Sequence, residues 1–432
     1  MHSFSYRKHY LFCEDVDLQK LAQKTGTPVY VYSANTILDH YRRLDAALGD
    51  LDHLICYAVK ANSNIAVLNL LAQEKSGFDI VSAGELYRVI KAGGNPSQCT
   101  FAGVGKSEDE IRYALQQEIL SFNVESESEL RYINQVAESM NRRAPIALRV
   151  NPDVEAETHK YISTGKSENK FGIGIDHVVG VYAAASKMKN VRIQGVQMHI
   201  GSQITSERPF AEAVLKMSAL VADLKREYGI EFFSIGGGLG IVYNHSLASG
   251  DKTWWEHPDA NERGVLTIES YASAVVPHLK KLGLRILFEP GRFMVGNAGV
   301  LLSKVLYIKK SPHKTFVIVD AGMNDLIRPA LYEGWHEVVP LQEPKTDKTE
   351  VVDIVGPICE SGDFFAQDRP VPHLAEGDLI ALMSAGAYGF SMASNYNSRP
   401  LPAEVLVRGK KAEVIRERQK LADLISGEVV PE

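Results

Sequence analysis

The sequence predicts an α/β protein: a (β/α)8 TIM-like barrel followed by a mostly antiparallel β domain. Between residues 50 and 291, short apolar, β-rich segments alternate with amphipathic stretches of helical period. Continuous apolar strands separated by helices are the pattern of parallel strands buried on both faces. Eight such strands can be counted, a number that closes into a barrel, with an open doubly wound sheet as the other arrangement. Past about residue 300, strands follow one another with turns rather than helices between most of them, the rhythm of antiparallel pairing. A chain of 432 residues also exceeds what one small core organises, so two domains are expected.

Taken in order, the expected barrel strands are Leu54–Lys60, Phe78–Ser82, Cys99–Gly103, Leu120–Val124, Ile146–Asn151, Gly195–Ile200, Phe232–Gly236 and Leu284–Glu289. Helical stretches such as Ser107–Gln117 and Ser126–Ala137 lie between them, the first opening on the S-x-x-E capping box of Ser107 and Glu110. The longest interruption, Pro152–Ile175, follows the fifth strand, is rich in Gly, Lys, Ser and Glu, and reads as an excursion over the barrel mouth. The barrel domain is bounded at residues 29–300, with Val29–Ser33 as its opening segment. The β domain covers 301–432 and is joined by residues 1–28. Its strands are Val300–Lys309, Thr315–Asp320, Glu350–Val355, Asp378–Met383 and Glu404–Val407, punctuated by turns at Ser311-Pro312 and Glu376-Gly377.

Composition is that of an ordinary globular chain, 45% hydrophobic and 23% charged, with a formal charge of -6. No basic block occurs, which argues against nucleic acid or an anionic membrane surface as partner. The N-terminus lacks the apolar core and small-residue cleavage site of a secretory signal, and no run of about 20 apolar residues would span a membrane. Cys13, Cys56, Cys99 and Cys359 show no metal-ligand spacing. They read as reduced thiols of a cytoplasmic protein, with no metal site expected.

Catalytic groups of a (β/α)8 barrel sit at the C-terminal ends of its strands. Here those ends offer Lys60, Asp79, Asn151, His199, a glycine run at 236–240 and Glu289. Lys60 finishes an apolar strand, where a lysine either snorkels to solvent or is held as a desolvated amine. The desolvated, neutral form is the one that condenses with an aldehyde. Consecutive glycines after the seventh strand let backbone N–H groups converge on an anion, in the region where this fold commonly holds phosphate. The same run also reads as a tight turn. Glu289, in Glu289-Pro290-Gly291-Arg292, reads either as partner of a protonated ring nitrogen or as half of an ion pair with Arg292. His199 reads as a ring lying on a cofactor or as a satisfied structural histidine. Asp79 orients His199 or Lys60, or caps the next helix.

Together these segments resemble the alanine-racemase-like (fold-type III) pyridoxal-phosphate-dependent decarboxylases. The matching motifs are YAVKAN at 57–62, FDIVSAGE at 78–85, YISTG at 161–165, KFGI at 170–173, MHIGSQI at 198–204, GGGLG at 236–240 and EPGR at 289–292. In the second domain they are DAGMND at 320–325, RPALY at 328–332, CESGD at 359–363 and AGAYGF at 385–390. The resemblance implies pyridoxal 5'-phosphate as cofactor, carried by Lys60 as a Schiff base. It implies that His199 stacks on the ring, that Asp79 and Ser202 also contact the cofactor, and that Gly237, Gly238, Gly240, Pro290, Gly291 and Arg292 hold its phosphate. Glu289 would pair with the pyridine nitrogen. Cys359 would be the acid that protonates the decarboxylated intermediate, Glu360 would bind the distal substrate amine, and Tyr388 would contact cofactor and substrate. In relatives the CESGD segment reaches a neighbouring subunit, so a homodimer with shared active sites is implied.

Residue chemistry then bears on the small-molecule substrate. Arg292 and Arg328 are planar forks suited to a distal carboxylate. Arg328 and Tyr332 share a face if their segment is helical, and Pro329 fits the first turn of such a helix. Two arginines would repel a substrate ending in an ammonium alone but favour one that also ends in a carboxylate. The expected reaction is therefore decarboxylation of meso-2,6-diaminopimelate to L-lysine and carbon dioxide, the last step of lysine biosynthesis. Other diamino acids or carboxynorspermidine are alternative substrates. An amino acid racemase would want a basic group opposite the lysine, which CESGD does not supply. A non-catalytic regulatory homologue would be expected to lack Lys60 or Cys359, and both are present.

Overall fold

The computed structural model describes residues 1–155, 170–256, 265–346 and 348–432. The YISTG motif and most of the expected excursion after the fifth strand lie outside the described residues. The chain forms two compact units, one of His40–Ile241 with Asn261–Met294, the other of Met1–Asp39, Val242–Ala260 and Val295–Glu432.

The first unit is a closed barrel of parallel strands. In order they are His53–Ala58, Gly77–Ile80, Cys99–Phe101, Ser121–Val124, Ala144–Asn151, Val191–Met198, Phe232–Ser234 and Arg285–Phe288. The last pairs in parallel with the first, Leu287 against Leu54, and this closes the ring. Gly77–Ile80 and Ser121–Val124 are buried at every position. Both faces of these strands meet protein, so even their polar members Asp79, Ser121 and Asn123 are buried. The helices between them start where the sequence places its caps. Ser107 and Glu110 form the expected reciprocal box on helix Glu108–Gln116, and Ser126 caps Glu127–Ser139.

The first strand ends two residues earlier than expected. Val59–Ala61 form a 3-10 turn, closed by the Tyr57 hydroxyl, which donates to the Asn62 carbonyl at 3.0 Å. This turn lifts Lys60 out of the strand and onto the rim of the barrel.

The second unit is built on one long strand, Gly299–Lys310, paired antiparallel with Val29–Ser33, Thr315–Val319 and Leu379–Leu382. Most pairings are antiparallel, but Thr315–Val319 runs parallel to Thr349–Val355 and Val29–Ser33 runs parallel to Ala403–Arg408. The boundary expected at residue 29 is thereby corrected. Val29–Ser33 is a buried central strand of this sheet, not the opening of the barrel. Its apolar character fits either setting, and only its hydrogen-bond partners decide. Among the strands that escaped the sequence reading are Phe364–Pro372 and Lys411–Arg416. They are the two ends of the sheet order. Edge strands tolerate proline and charge, so Pro370, Pro372, Lys411 and Glu413 conceal the alternation.

Candidate active site

The rim of the barrel gathers charged and polar groups from strands far apart in sequence. Lys60 Nζ lies 3.2 Å from Asp79 Oδ2, with the lysine side chain 41% exposed and the aspartate 2%. Asp79 Oδ1 is buried without a hydrogen-bond partner. Asp79 does not cap the following helix: Ser82 does, accepting from the Glu85 N–H.

Glu289 follows the eighth strand and is buried. Its Oε1 accepts from Ser234 Oγ at 2.6 Å and from Asn123 Nδ2 at 3.5 Å, and its Oε2 accepts from Gln197 Nε2 at 3.0 Å. The ion pair with Arg292 that the sequence left open is not made. Burial, reinforced by the Asp79 charge, pushes the Glu289 carboxyl up to about 7, against the lowering effect of Ser234, Gln197 and Lys60. A carboxyl poised there can exchange a proton with a ring nitrogen near neutral pH.

His199 follows the sixth strand. Its Nδ1 accepts the Gly237 N–H at 3.2 Å, so the proton of the neutral ring is on Nε2. Desolvation first, then the Arg149 and Lys60 charges, hold the imidazole well below its ordinary value. It is an uncharged ring at neutral pH, suited to packing on a flat ligand.

The glycine run packs directly against neighbouring backbone. Gly236 and Gly238 have φ of +72° and +106°. A Cβ on Gly237 would stand 2.2 Å from the Glu289 carbonyl oxygen, and one on Gly240 2.8 Å from the Ile204 carbonyl. The Glu289 N–H donates to Gly236 O at 2.8 Å, and Gly240 N–H to Ile204 O at 2.9 Å, locking the loop against both neighbouring strand ends. Pro290 O accepts from Ala58 N–H at 3.1 Å, and Gly291 passes close to Ala58 and Ala61. The stretch 290–292 is thus tied to the turn that carries Lys60. Arg292 Nη2 donates to Ser202 Oγ at 3.1 Å.

The close approach at Gly237 gives a direct expectation. Gly237→Ala must displace the Glu289 backbone, because a carbonyl oxygen at 2.2 Å cannot yield as a flexible side chain would. We expect a loss of roughly 1–3 kcal/mol of stability together with loss of retained cofactor. Denaturant melts and the absorbance remaining after gel filtration check both.

The barrel unit therefore brings together Lys60, Asp79, His199, Ser202, Gly237, Gly238, Gly240, Glu289, Pro290, Gly291 and Arg292. The other residues singled out in the sequence, Arg328, Tyr332, Cys359, Glu360 and Tyr388, belong to the second unit. Arg328 and Tyr332 bound a five-residue helix with Pro329 in its first turn. Arg328 is buried, stacks at 4.4 Å on Tyr243, and donates from Nη1 to His336 Nε2 at 2.7 Å. Cys359 and Glu360 are exposed. Their turn is shaped by Asp363, which accepts from the Met323 and Ile358 N–H groups, each at 2.6 Å. Tyr388 adopts a left-handed backbone, φ 55°. The glycines around it admit this unit's own backbone: a Cβ on Gly386 would lie 1.9 Å from Val295 O, and one on Gly389 2.4 Å from Ala385 O.

Sequence reasoning missed Asn123, Gln197 and Ser234, the groups that hold Glu289, and the buried pair Arg149–Glu125 at 2.9 Å. Arg149 stacks on Phe171 at 4.8 Å, and its Nη2 is buried without a hydrogen-bond partner. A signal was available. Each of these residues is a polar side chain in or just beyond a barrel strand of otherwise buried residues, where an unexplained polar group calls for a partner.

Known proteins share this chain's pattern. Residues 34–296 match the family described as pyridoxal-dependent decarboxylase, pyridoxal binding domain. The diaminopimelate decarboxylase of Vibrio cholerae is 48% identical over 100% of both chains. That of Pseudomonas aeruginosa is 48% identical over 99% of both. The crystal structure of diaminopimelate decarboxylase from Helicobacter pylori complexed with L-lysine superposes with a TM-score of 0.87 at 40% identity, covering 95% of this chain and 98% of that one. On this match of sequence and architecture, the chain belongs to the diaminopimelate decarboxylase family of pyridoxal-dependent decarboxylases.

Proposed function

We propose that this protein decarboxylates meso-2,6-diaminopimelate to L-lysine and carbon dioxide with pyridoxal 5'-phosphate as cofactor. The observation that carries the reading is the rim of the barrel. There an amine paired to a buried carboxylate, a buried acid poised near neutrality and a glycine run belong to one compact unit. These residues fit the cofactor. The glycines let their loop lie against the neighbouring strand ends where any Cβ would strike a backbone carbonyl, Glu289 matches a ring nitrogen, and the partnerless Asp79 Oδ1 is a buried acceptor on the lysine side. When bound, the cofactor supplies an electron-withdrawing ring that takes up the electron pair left as carbon dioxide departs.

The chain's own residues do the rest. Lys60 would hold the cofactor covalently through its Nζ amine. Asp79 steadies that amine in its charged form between steps. Glu289 would keep a proton on the pyridine nitrogen, His199 would present an uncharged ring face, and the glycine run with the 290–292 stretch would enclose the phosphate. Arg292, Arg328 and Tyr332 receive the distal carboxylate, Glu360 the distal ammonium, and Tyr388 orients cofactor and substrate. Cys359 delivers a proton from Sγ to the α-carbon once carbon dioxide has left. A homodimer with each site completed by its partner is part of this reading, as is a cytoplasmic setting. Among the described residues no helix is long and apolar enough to cross a membrane.

Carbon dioxide release from meso-diaminopimelate, with and without added pyridoxal phosphate, tests the reading. Release independent of the cofactor, or a preference for ornithine, would overturn it. Cys359→Ala should lower kcat by about 100-fold or more while the bound-cofactor spectrum persists. Mixed dimers of inactive Lys60→Ala and Cys359→Ala subunits should regain part of the activity. Heterodimers that form but stay inactive would remove the shared site.

A further inference from the structure

The arginine of the RPALY helix is held by a residue to which the reading above gives no part. His336 is completely buried. Its Nδ1 is 2.8 Å from the Met383 carbonyl and its Nε2 2.7 Å from Arg328 Nη1. A carbonyl oxygen can only accept and a guanidinium can only donate. The ring is therefore fixed as the neutral tautomer with its proton on Nδ1, and Nε2 offers a lone pair to Arg328. Tyr243 completes the clamp. It lies 4.4 Å beneath the guanidinium and meets the His336 ring edge-on at 5.4 Å. Gly334 lets the arginine pass, since a Cβ there would stand 3.3 Å from Nη2. A planar guanidinium binds a carboxylate well only in a defined plane and azimuth. Tyr243 sets the plane, and the Nε2 acceptor sets the azimuth.

We propose that His336 is a positioning residue for selectivity: by accepting from Arg328 Nη1 it holds that guanidinium in the one orientation that receives the distal carboxylate of the substrate. The proposal rests on the reading that Arg328 binds that carboxylate. It extends that reading to a residue that would not itself touch substrate, cofactor or reacting atoms. D-lysine, which keeps the reacting centre of the substrate and lacks only the distal carboxylate, is the natural control ligand, whereas the product L-lysine retains that carboxylate.

Two isosteres separate the two ring nitrogens. His336→Asn keeps a donor for Met383 and loses the acceptor for Arg328, whereas His336→Gln keeps an acceptor near the Nε2 position and loses the Met383 donor. His336→Leu is a second acceptor-free variant. Arg328→Ala is the reference. For each cofactor-loaded protein, KM and kcat on meso-diaminopimelate, the dissociation constant of D-lysine from the near-visible spectrum, and the melting temperature are measured. His336→Asn and His336→Leu should raise KM about tenfold or more, with kcat and the D-lysine constant changed less than about threefold, and His336→Gln should stay near wild type. If His336→Gln is impaired and His336→Asn is not, the Met383 bond is what matters and the proposal fails. Equal weakening toward both ligands, or loss of folding in both acceptor-free variants, makes the ring purely structural and also overturns it. If Arg328→Ala leaves the preference for the dicarboxylate unchanged, the reading of Arg328 itself falls, a result distinct from the others.

Discussion

Lys60→Ala should abolish the near-visible absorbance of the holoprotein and lower kcat by roughly four orders of magnitude or more, since no other group can replace a covalent carrier amine. Lys60→Arg should be no better, because a guanidinium is never the neutral nucleophile that attachment requires. The fold should survive. Removing the lysine leaves Asp79, 2% exposed, without its cation. That loss is limited to about 1–2 kcal/mol because the lysine side chain is itself 41% exposed and solvent-screened. A spectrum taken before and after borohydride treatment, with a melt as control, checks all three statements. Persistence of the band in Lys60→Ala would show that the cofactor is joined elsewhere.

Glu289→Gln should lower kcat by about 100- to 1000-fold with little change in side-chain volume, because the amide cannot hold a proton on a ring nitrogen as the charge develops. The same variant carries a signature in the cofactor-free protein. The folded chain keeps the Glu289 proton up to about 7, whereas an exposed glutamate loses it near 4.5. Between those values the folded state binds more protons than the unfolded one. The stability this gives is therefore greatest below about pH 4.5 and lost as pH rises through 7, on the order of 3 kcal/mol in all. Glu289→Gln removes that slope. Glu85 and Asp325, likewise pushed up to about 7 by burial, add slopes of the same sign to both proteins. The difference between the two denaturant-melt profiles isolates Glu289. Parallel profiles would mean that the carboxylate is not desolvated as described.

The barrel was legible because its strands are largely buried on both faces and so leave short, mainly apolar stretches at regular intervals between helices. The chemistry at the rim was legible for a related reason. Lys60, Asp79 and Glu289 break apolar runs at the point where a strand ends. The residues that hold Glu289 were harder to see. Asn123, Gln197 and Ser234 sit in strands where one polar side chain reads as tolerance rather than purpose, and their meeting point depends on closure of the ring. Val29–Ser33 was misplaced because burial at every position says that a strand is central without saying in which sheet. The edge strands Phe364–Pro372 and Lys411–Arg416 failed for the opposite reason, since one free side relaxes the pattern that marks a strand.

The position of Val29–Ser33 also bears on how the molecule is made. This segment is translated early, yet both strands that flank it, Gly299–Lys310 and Ala403–Arg408, come after the entire barrel. Throughout most of synthesis a fully apolar ribbon has two open sides, the state most prone to pair with another chain. The barrel strands need no such wait, because each finds its neighbour soon after the next turn of helix is complete. A nascent chain halted before residue 403 would thus carry a finished cofactor-binding half and a second sheet whose early strand still has one open side, leaving its last residues to decide whether it stays in solution.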